Sequence, residues 1–411
     1  MSLVKSDPVR PLRWRGLSAW QRSPRSTVII PIILSALAAS CGGNGSPTII
    51  DPPQPATLSG AVRASDTQAA IAGATVAVGE VSAVTQANGS FQLLNLPTGS
   101  VTVQASAAGF DSHSQSIALQ AGSNALDVTL ARRTLYEFGD FAAYLPPDVS
   151  NYRGVLLFIP GSQGDSRYLL HGRPVDCATF LDWCLIRGDV LDRALVLART
   201  YGLALMAMKS APNDPATYAS IFAALSTLAA QSGRTQLSQA PLLLVGHSLG
   251  GCVAYGFTRV NSARVIGFLS GKGQCHDPLG AGTLGALAVP GYFFIGEEDL
   301  PSREANITAV FEQNRAAGAP WAVAIEPGAG HQVPRDLGLQ FRWLDAVLSR
   351  RLSASGTLQP ITEASGWLGN RSTFAISSYA EYEGDVLQAS WFPSDQNALD
   401  WQAFVQDGGP E

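Results

Sequence analysis

Two textures of hydrophobic patterning divide this chain. From Thr57 to about Ala131, apolar and polar residues alternate: Ala74, Val76 and Val78; Val101, Val103 and Ala105; Leu126, Val128 and Leu130. A period of two places one side of a strand against a core. Turn signals fall between these runs at Ala87-Asn88-Gly89 and Pro97-Thr98-Gly99, so the segment predicts a small β-sandwich of short strands. From Arg133 to about Leu352 the texture changes to apolar runs alternating with helical patterns. Strands are predicted at Val155–Ile159, Leu203–Met208, Pro241–Val245, Arg264–Leu269, Tyr292–Ile295 and Trp321–Ile325. Between them lie helices at Asp189–Tyr201, with Val190, Leu191, Ala194, Leu195 and Ala198 on one face, and then at Asp214–Ser232, Leu249–Val260, Glu304–Ala317 and Leu337–Leu352. Asp214-Pro215 reads as a cap followed by proline at the first helical position, and Gly233 as a stop. The last helix should bury Leu337, Phe341, Leu344 and Leu348. Strands alternating with helices imply a mostly parallel sheet covered on both faces.

Both ends differ from this pattern. Residues 1–26 hold Lys5, Arg10, Arg13, Arg15, Arg22 and Arg25 against Asp7 alone. An apolar stretch, Val28–Ala39, follows; it is short for a membrane span and ends in Leu37-Ala38-Ala39-Ser40-Cys41. Basic, then apolar, then small residues at a cleavage point read as a bacterial export signal over residues 1–40. Residues 41–56, rich in Gly and Pro, read as a flexible tether. Residues 353–411 are dense in aromatics, among them Trp367, Trp391, Trp401, Phe374, Phe392, Phe404, Tyr379 and Tyr382. They either pack back on the preceding domain as an extra hairpin or line a substrate groove; aromatics more often serve a core.

Charge sharpens the division. The first forty residues carry +5, and with −5 overall the remainder carries −10. A mildly acidic exported chain with few lysines does not suit nucleic-acid binding. No His/Cys/Asp cluster has zinc-like spacing, and neither a dinucleotide fingerprint nor a Walker loop follows a strand, so no metal or cofactor is expected.

The candidate chemistry sits at one turn. Gly246-His247-Ser248-Leu249-Gly250 lies between a predicted buried strand and a predicted helix. A sharp turn there lifts the Ser248 hydroxyl above the sheet edge, and glycines allow the turn without side-chain clash. A serine hydroxyl needs a base, and the base needs an orienting group. In this architecture the order is Ser, then Asp or Glu, then His. Glu297, Glu298 and Asp299 follow one strand, and His331 follows the last. Each lies where strand ends converge on Ser248. His247 reads as packing around the site, and His113, His171 and His276 as ordinary surface or loop residues.

On these residues, 133–352 resembles the α/β-hydrolases, of the secreted-esterase, dienelactone-hydrolase or polyhydroxyalkanoate-depolymerase-like kind. The resemblance implies Ser248 as nucleophile, His331 as general base and acid, and Asp299 as orienting carboxylate, with Glu297 and Glu298 still open. It also implies an oxyanion hole from the backbone amide of Leu249 and one from Ser162 or Gln163. Here the chain departs from the common pattern, carrying Pro160-Gly161 where many relatives have His-Gly. The run from Gly73 to Phe110, within residues 57–132, resembles the carboxypeptidase regulatory-like, transthyretin-like domain, which implies a spacer or interaction module. Cys41 resembles a lipoprotein cysteine, acylated after cleavage; a plain secretory signal is the other reading.

Four cysteines remain after Cys41, and an even count in an exported chain suggests two disulfides. Three pairings are possible. Cys177–Cys184 with Cys252–Cys275 is favoured, and four buried thiols is the alternative. About twenty residues separate the strands ending at Leu269 and starting at Tyr292, too few for a large cap, which suits bulky or polymeric substrates. The expected activity is cleavage of a carboxylic ester through an acyl-enzyme. A serine peptidase or amidase shares this chemistry, and a non-catalytic surface binding protein could share the fold. The expected partners are an ester substrate, small or polymeric, and a membrane reached only through the lipid anchor.

Overall fold

The structure is a computed structural model that describes residues 55–172, 188–275 and 283–407. The export signal, residues 41–54 of the tether, Cys41, Cys177, Cys184 and His276 lie outside the described residues, and Ala56, read from sequence as the end of the tether, opens the first strand.

The alternating segment forms two facing sheets. Strands β1 (Ala56–Ala64), β4 (Ser90–Leu96), β7 (Gly122–Ala125) and β8 (Val128–Leu130) build one, with β4 antiparallel and β7 and β8 parallel to β1. Strands β2 (Thr75–Val78), β3 (Val81–Val84), β5 (Gly99–Ser106) and β6 (His113–Leu119) build the other in the order β3-β2-β5-β6. The alternation carries the packing: Val62, Val76, Val103, Phe91, Leu93 and Leu130 close one apolar core between the sheets. This is the expected β-sandwich.

Eight strands form the large sheet of the next domain: β9 (Leu135–Phe138), β10 (Phe141–Tyr144), β11 (Gly154–Ile159), β12 (Leu203–Met208), β13 (Leu242–His247), β14 (Val265–Gly271), β15 (Gly291–Gly296) and β16 (Trp321–Glu326). Their spatial order is β9-β10-β12-β11-β13-β14-β15-β16. β11 to β16 run parallel, while β9 and β10 pair antiparallel at one edge. That edge hairpin was not expected from sequence, because four-residue strands give too short a pattern. The middle strands are fully buried and, up to His247 at the end of β13, carry no polar side chain, as strands covered on both faces must be.

Helices α1 (Arg167–His171), α2 (Gly188–Tyr201), α3 (Pro215–Ser232), α4 (Leu249–Asn261), α5 (Leu284–Leu287), α6 (Pro301–Ala316) and α7 (Leu337–Arg351) complete the layers. One core holds Leu157, Met206, Leu244 and Phe293 with residues of α3, α4 and α6. The other holds Leu156, Leu205, Leu243 and Phe294 with α2 and α7. The cap at Asp214 is made as expected, its side chain accepting from the Thr217 amide, and Gly233 takes the left-handed conformation that ends α3. The strand order and helix layers make this domain an α/β-hydrolase fold.

The C-terminal segment is more than a hairpin. It forms a sheet of β17 (Trp367–Gly369), β18 (Ile376–Ser378) and β19 (Ser390–Phe392) in the order β18-β17-β19, followed by α8 (Asp395–Asp407). Phe392, Trp401 and Phe404 are buried in the second core, and the Trp401 indole donates to the Val323 carbonyl at 2.8 Å. The aromatics thus close the β16 side of the large sheet.

Candidate active site

Ser248 sits where β13 ends and α4 begins, with φ 54° and ψ −124°, a conformation uncommon for a residue with a Cβ. Two close approaches force glycine beside it. A Cβ on Gly246 would overlap the Gly250 carbonyl, and one on Gly250 would overlap the carbonyls of Ile159 and Pro160. The strand-to-helix turn and the loop after β11 are therefore pressed together without side chains between them.

His331 and Asp299 reach this turn from the ends of β16 and β15. His331 Nε2 lies 2.9 Å from Ser248 Oγ, and its Nδ1 lies 2.8 Å from Asp299 Oδ2. The Asp299 side chain is 4% exposed and that of His331 20%. The second carboxylate oxygen accepts from the Leu300 amide at 2.7 Å and from Arg303. Burial alone would raise the Asp299 pKa. The His331 hydrogen bond, the Leu300 amide and the Arg303 charge outweigh it, and the carboxyl is held below its usual value. An ionised Asp299 accepting from Nδ1–H leaves Nε2 as the lone pair facing the serine hydroxyl.

The other acidic candidates do not reach the histidine. Glu297 is exposed and accepts from the Gly328 amide at 2.8 Å, and Glu298 is exposed. Leu249 opens α4 directly after the nucleophile. Ser162 and Gln163 stand exposed on a turn closed by Gly164 N donating to Gly161 O at 3.2 Å, with Gln163 at φ 64°. The adjoining Ile159 and Pro160 carbonyls lie against Gly250, so this turn flanks the nucleophile. Both positions remain on the turn that could supply the second amide donor.

His247 does more than fill space. Its Nε2 lies 2.9 Å from the His331 carbonyl oxygen, and the two rings are 5.2 Å apart. Burial, then the neighbouring His331 and Lys272, push its pKa down to about 3, so the ring is neutral and Nε2–H donates. His113 is exposed, and His171 pairs with Glu137 at 2.9 Å. Cys252 and Cys275 stand at disulfide distance, with Cα atoms 5.1 Å apart, joining the first turn of α4 to the loop after β14. The alternative of buried thiols does not apply to this pair. Among the described residues, no group of three or more His, Cys, Asp or Glu could hold a metal ion.

Sequence reasoning missed a buried charge cluster beneath the site. Lys272 and Glu326 are both 0% exposed and 2.7 Å apart. The only local signals were a lysine and a glutamate at the ends of apolar strands. A separate cavity of about 570 Å³ lies between the C-terminal segment and β15–β16, lined by Ile295, Val323, Pro327, Phe374, Tyr382 and Trp401. The aromatics thus serve both core and cavity wall, but the three site residues do not line this cavity.

Fold and site together define an α/β-hydrolase-fold domain bearing a Ser-His-Asp constellation, joined to a β-sandwich. Residues 57–131 match the family model of the carboxypeptidase regulatory-like domain. No curated protein matches the chain. Among solved structures it is similar to esterase PE8, at 15% identity and TM-score 0.36, covering 52% of this chain and 99% of that one. It is also similar to a poly(3-hydroxybutyrate) depolymerase from Bordetella parapertussis, at 15% identity and TM-score 0.35, covering 55% and 91%. A third similarity, to a type II cohesin-X-dockerin complex from Acetivibrio cellulolyticus, has 24% identity and TM-score 0.17; it covers 19% of this chain and spans 58% of that one.

Proposed function

We propose that this chain is a serine hydrolase of carboxylic esters that works through an acyl-enzyme. The observation that carries the reading is the continuous relay from Ser248 Oγ to His331 Nε2, and from His331 Nδ1 to Asp299 Oδ2. His331 takes the Ser248 proton as the oxygen attacks the ester carbonyl. The tetrahedral oxyanion is held by the Leu249 amide and an amide of the Ser162–Gln163 turn; one such donor is worth roughly a hundredfold or more in rate. Protonated His331 then gives its proton to the departing alkoxide, leaving an acyl-serine. A water, deprotonated by the same ring, attacks the acyl carbon and releases the acid and Ser248. Asp299 holds the tautomer throughout and stabilises the imidazolium.

The signal-like front of the chain supports export and lipid attachment at Cys41, with the carboxypeptidase regulatory-like domain as spacer or interaction module. Loss of labelled-palmitate incorporation in Cys41→Ala would test the anchor. For the chemistry, the chain from Ser46 onward and its Ser248→Ala variant should be assayed on p-nitrophenyl esters of graded acyl length, alongside a fluorophosphonate probe. Turnover and labelling in the parent, with neither in the variant, support the reading. A folded parent that does neither overturns it, and amide turnover well above ester turnover would reassign it to the peptidases.

A further inference from the structure

Three turns must be held in register for the relay to form, and they come from β13, β15 and β16. One buried cluster touches all three. Ser248 N donates to Gly271 O at 2.7 Å, at the end of β14. The next residue is Lys272, whose backbone adopts φ 52° and whose amide donates to Phe294 O at 2.9 Å. Its ammonium donates to Glu326 Oε2 at 2.7 Å, with neither side chain exposed. Glu326 ends β16. Its other oxygen, Oε1, accepts from the Arg335 amide at 2.9 Å and from Arg335 Nε at 3.2 Å. These bonds staple the two ends of the loop that carries His331. The Glu326 carbonyl accepts from the Glu297 amide at 3.1 Å, two residues before Asp299.

The energetics do not favour such a pair for stability alone. Burying two charges costs several kcal/mol per ion, and well-packed apolar replacements of similar volume are often neutral or stabilising. Left-handed backbone at a non-glycine residue adds a further cost, and such strain clusters at functional sites. Both features meet one residue beyond the acceptor of the Ser248 amide.

We propose that Lys272 and Glu326 are positioning residues that set the His331 loop against the Ser248 turn. The inference rests on the ester-hydrolase reading of that site. Lys272 fixes where β14 and β16 end relative to each other, and Glu326 fixes the width of the loop between Pro327 and Pro334. A relay displaced by an ångström loses about a hundredfold in rate while substrate binding is spared.

The test compares the full chain with the double variant Lys272→Met/Glu326→Leu and with Lys272→Met alone, in which Glu326 keeps Arg335 as counter-ion. Tm, kcat, KM and the rate of fluorophosphonate labelling are measured for each. The double variant is expected to match the parent in Tm, with kcat and labelling down about tenfold to a hundredfold and KM little changed. Lys272→Met, assayed below its Tm, should lose kcat in the same direction. A merely structural pair would lower Tm and leave kcat intact, so a folded variant with parental kcat overturns the proposal alone. A parent with neither turnover nor labelling overturns the ester-hydrolase reading, and the proposal falls with it.

Discussion

Ser248, His331, Asp299 and His247 each owe their state to immediate neighbours. Asp299 is charged because one nitrogen, one backbone amide and one guanidinium face a nearly buried carboxylate. Asp299→Asn removes that charge and favours the wrong imidazole tautomer, with kcat expected to fall about 10⁴-fold while Tm changes little; steady-state kinetics on a p-nitrophenyl ester check it. His247 gives a pH signature. Its folded pKa of about 3 lies below the ordinary 6.5, so between those values the unfolded chain binds a proton that the folded chain refuses. Stability therefore rises with pH across this window and is lost as pH falls through it, by on the order of a few kcal/mol. His247→Gln keeps an N–H donor near the His331 carbonyl and should flatten the difference in urea midpoint between about pH 7 and about pH 4.5. An unchanged difference would assign the acid sensitivity to other groups. The pentapeptide made Ser248 legible from its own neighbours, but the His247 partner lies 84 residues away and had no local signal.

Elements set the geometry that these residues use. The turn between β13 and α4 works because backbone meets backbone at Gly246 and Gly250. Gly250→Ala must push the first turn of α4 away from Ile159 and Pro160; overpacking of this kind costs about 1–3 kcal/mol. A lowered urea midpoint together with reduced kcat is expected, and a silent substitution would show that the turn tolerates displacement. The same helix is tied by Cys252 to Cys275 across a separation of 23 residues. Cys275→Ser should cost about 2–4 kcal/mol, read as a fall in urea midpoint that added reductant reproduces in the parent. Helices and buried strands were legible because each repeats its pattern over several residues. The β9–β10 hairpin was not, since each strand is four residues long and its pairing with β12 is set from outside.

At the scale of the molecule, the C-terminal segment completes the large sheet. β16 is its edge strand, and an open edge offers unpaired backbone groups. Ser390 answers one of them, its Oγ 3.1 Å from the Val323 amide. Arg315 is fully buried and donates to Ala389 O at 2.7 Å and Val386 O at 2.5 Å. A chain ending at Leu352 would leave this guanidinium with the Ala319 carbonyl but without its Ala389, Val386 and Glu363 partners, and expose the surfaces covered by Phe392, Trp401 and Phe404. It is expected to aggregate, as read by size-exclusion chromatography. A monodisperse product with the parental Tm would make the segment an appendage. At the other end the sandwich is joined by specific bonds: Tyr144 Oη donates to Asp111 Oδ1 at 2.6 Å, and Arg133 donates to Phe110 O at 2.7 Å and Leu170 O at 3.0 Å.

By itself the sequence determined the order of elements, the alternating sandwich, the Ser248 turn and the succession of acid and histidine after it. Each of these is local: periodicity, caps and glycines act within a few residues, and the Asp214 cap and the glycines of the Ser248 turn came from such signals. Tertiary structure alone decided that β12 lies outside β11, that Asp299 rather than Glu297 meets His331, and that Lys272 and Glu326 meet beneath them. Those outcomes depend on which strand ends share one edge of the sheet. The energy of a buried pair 54 residues apart in the chain is set by desolvation and distance, and neither is written in the neighbours of either residue.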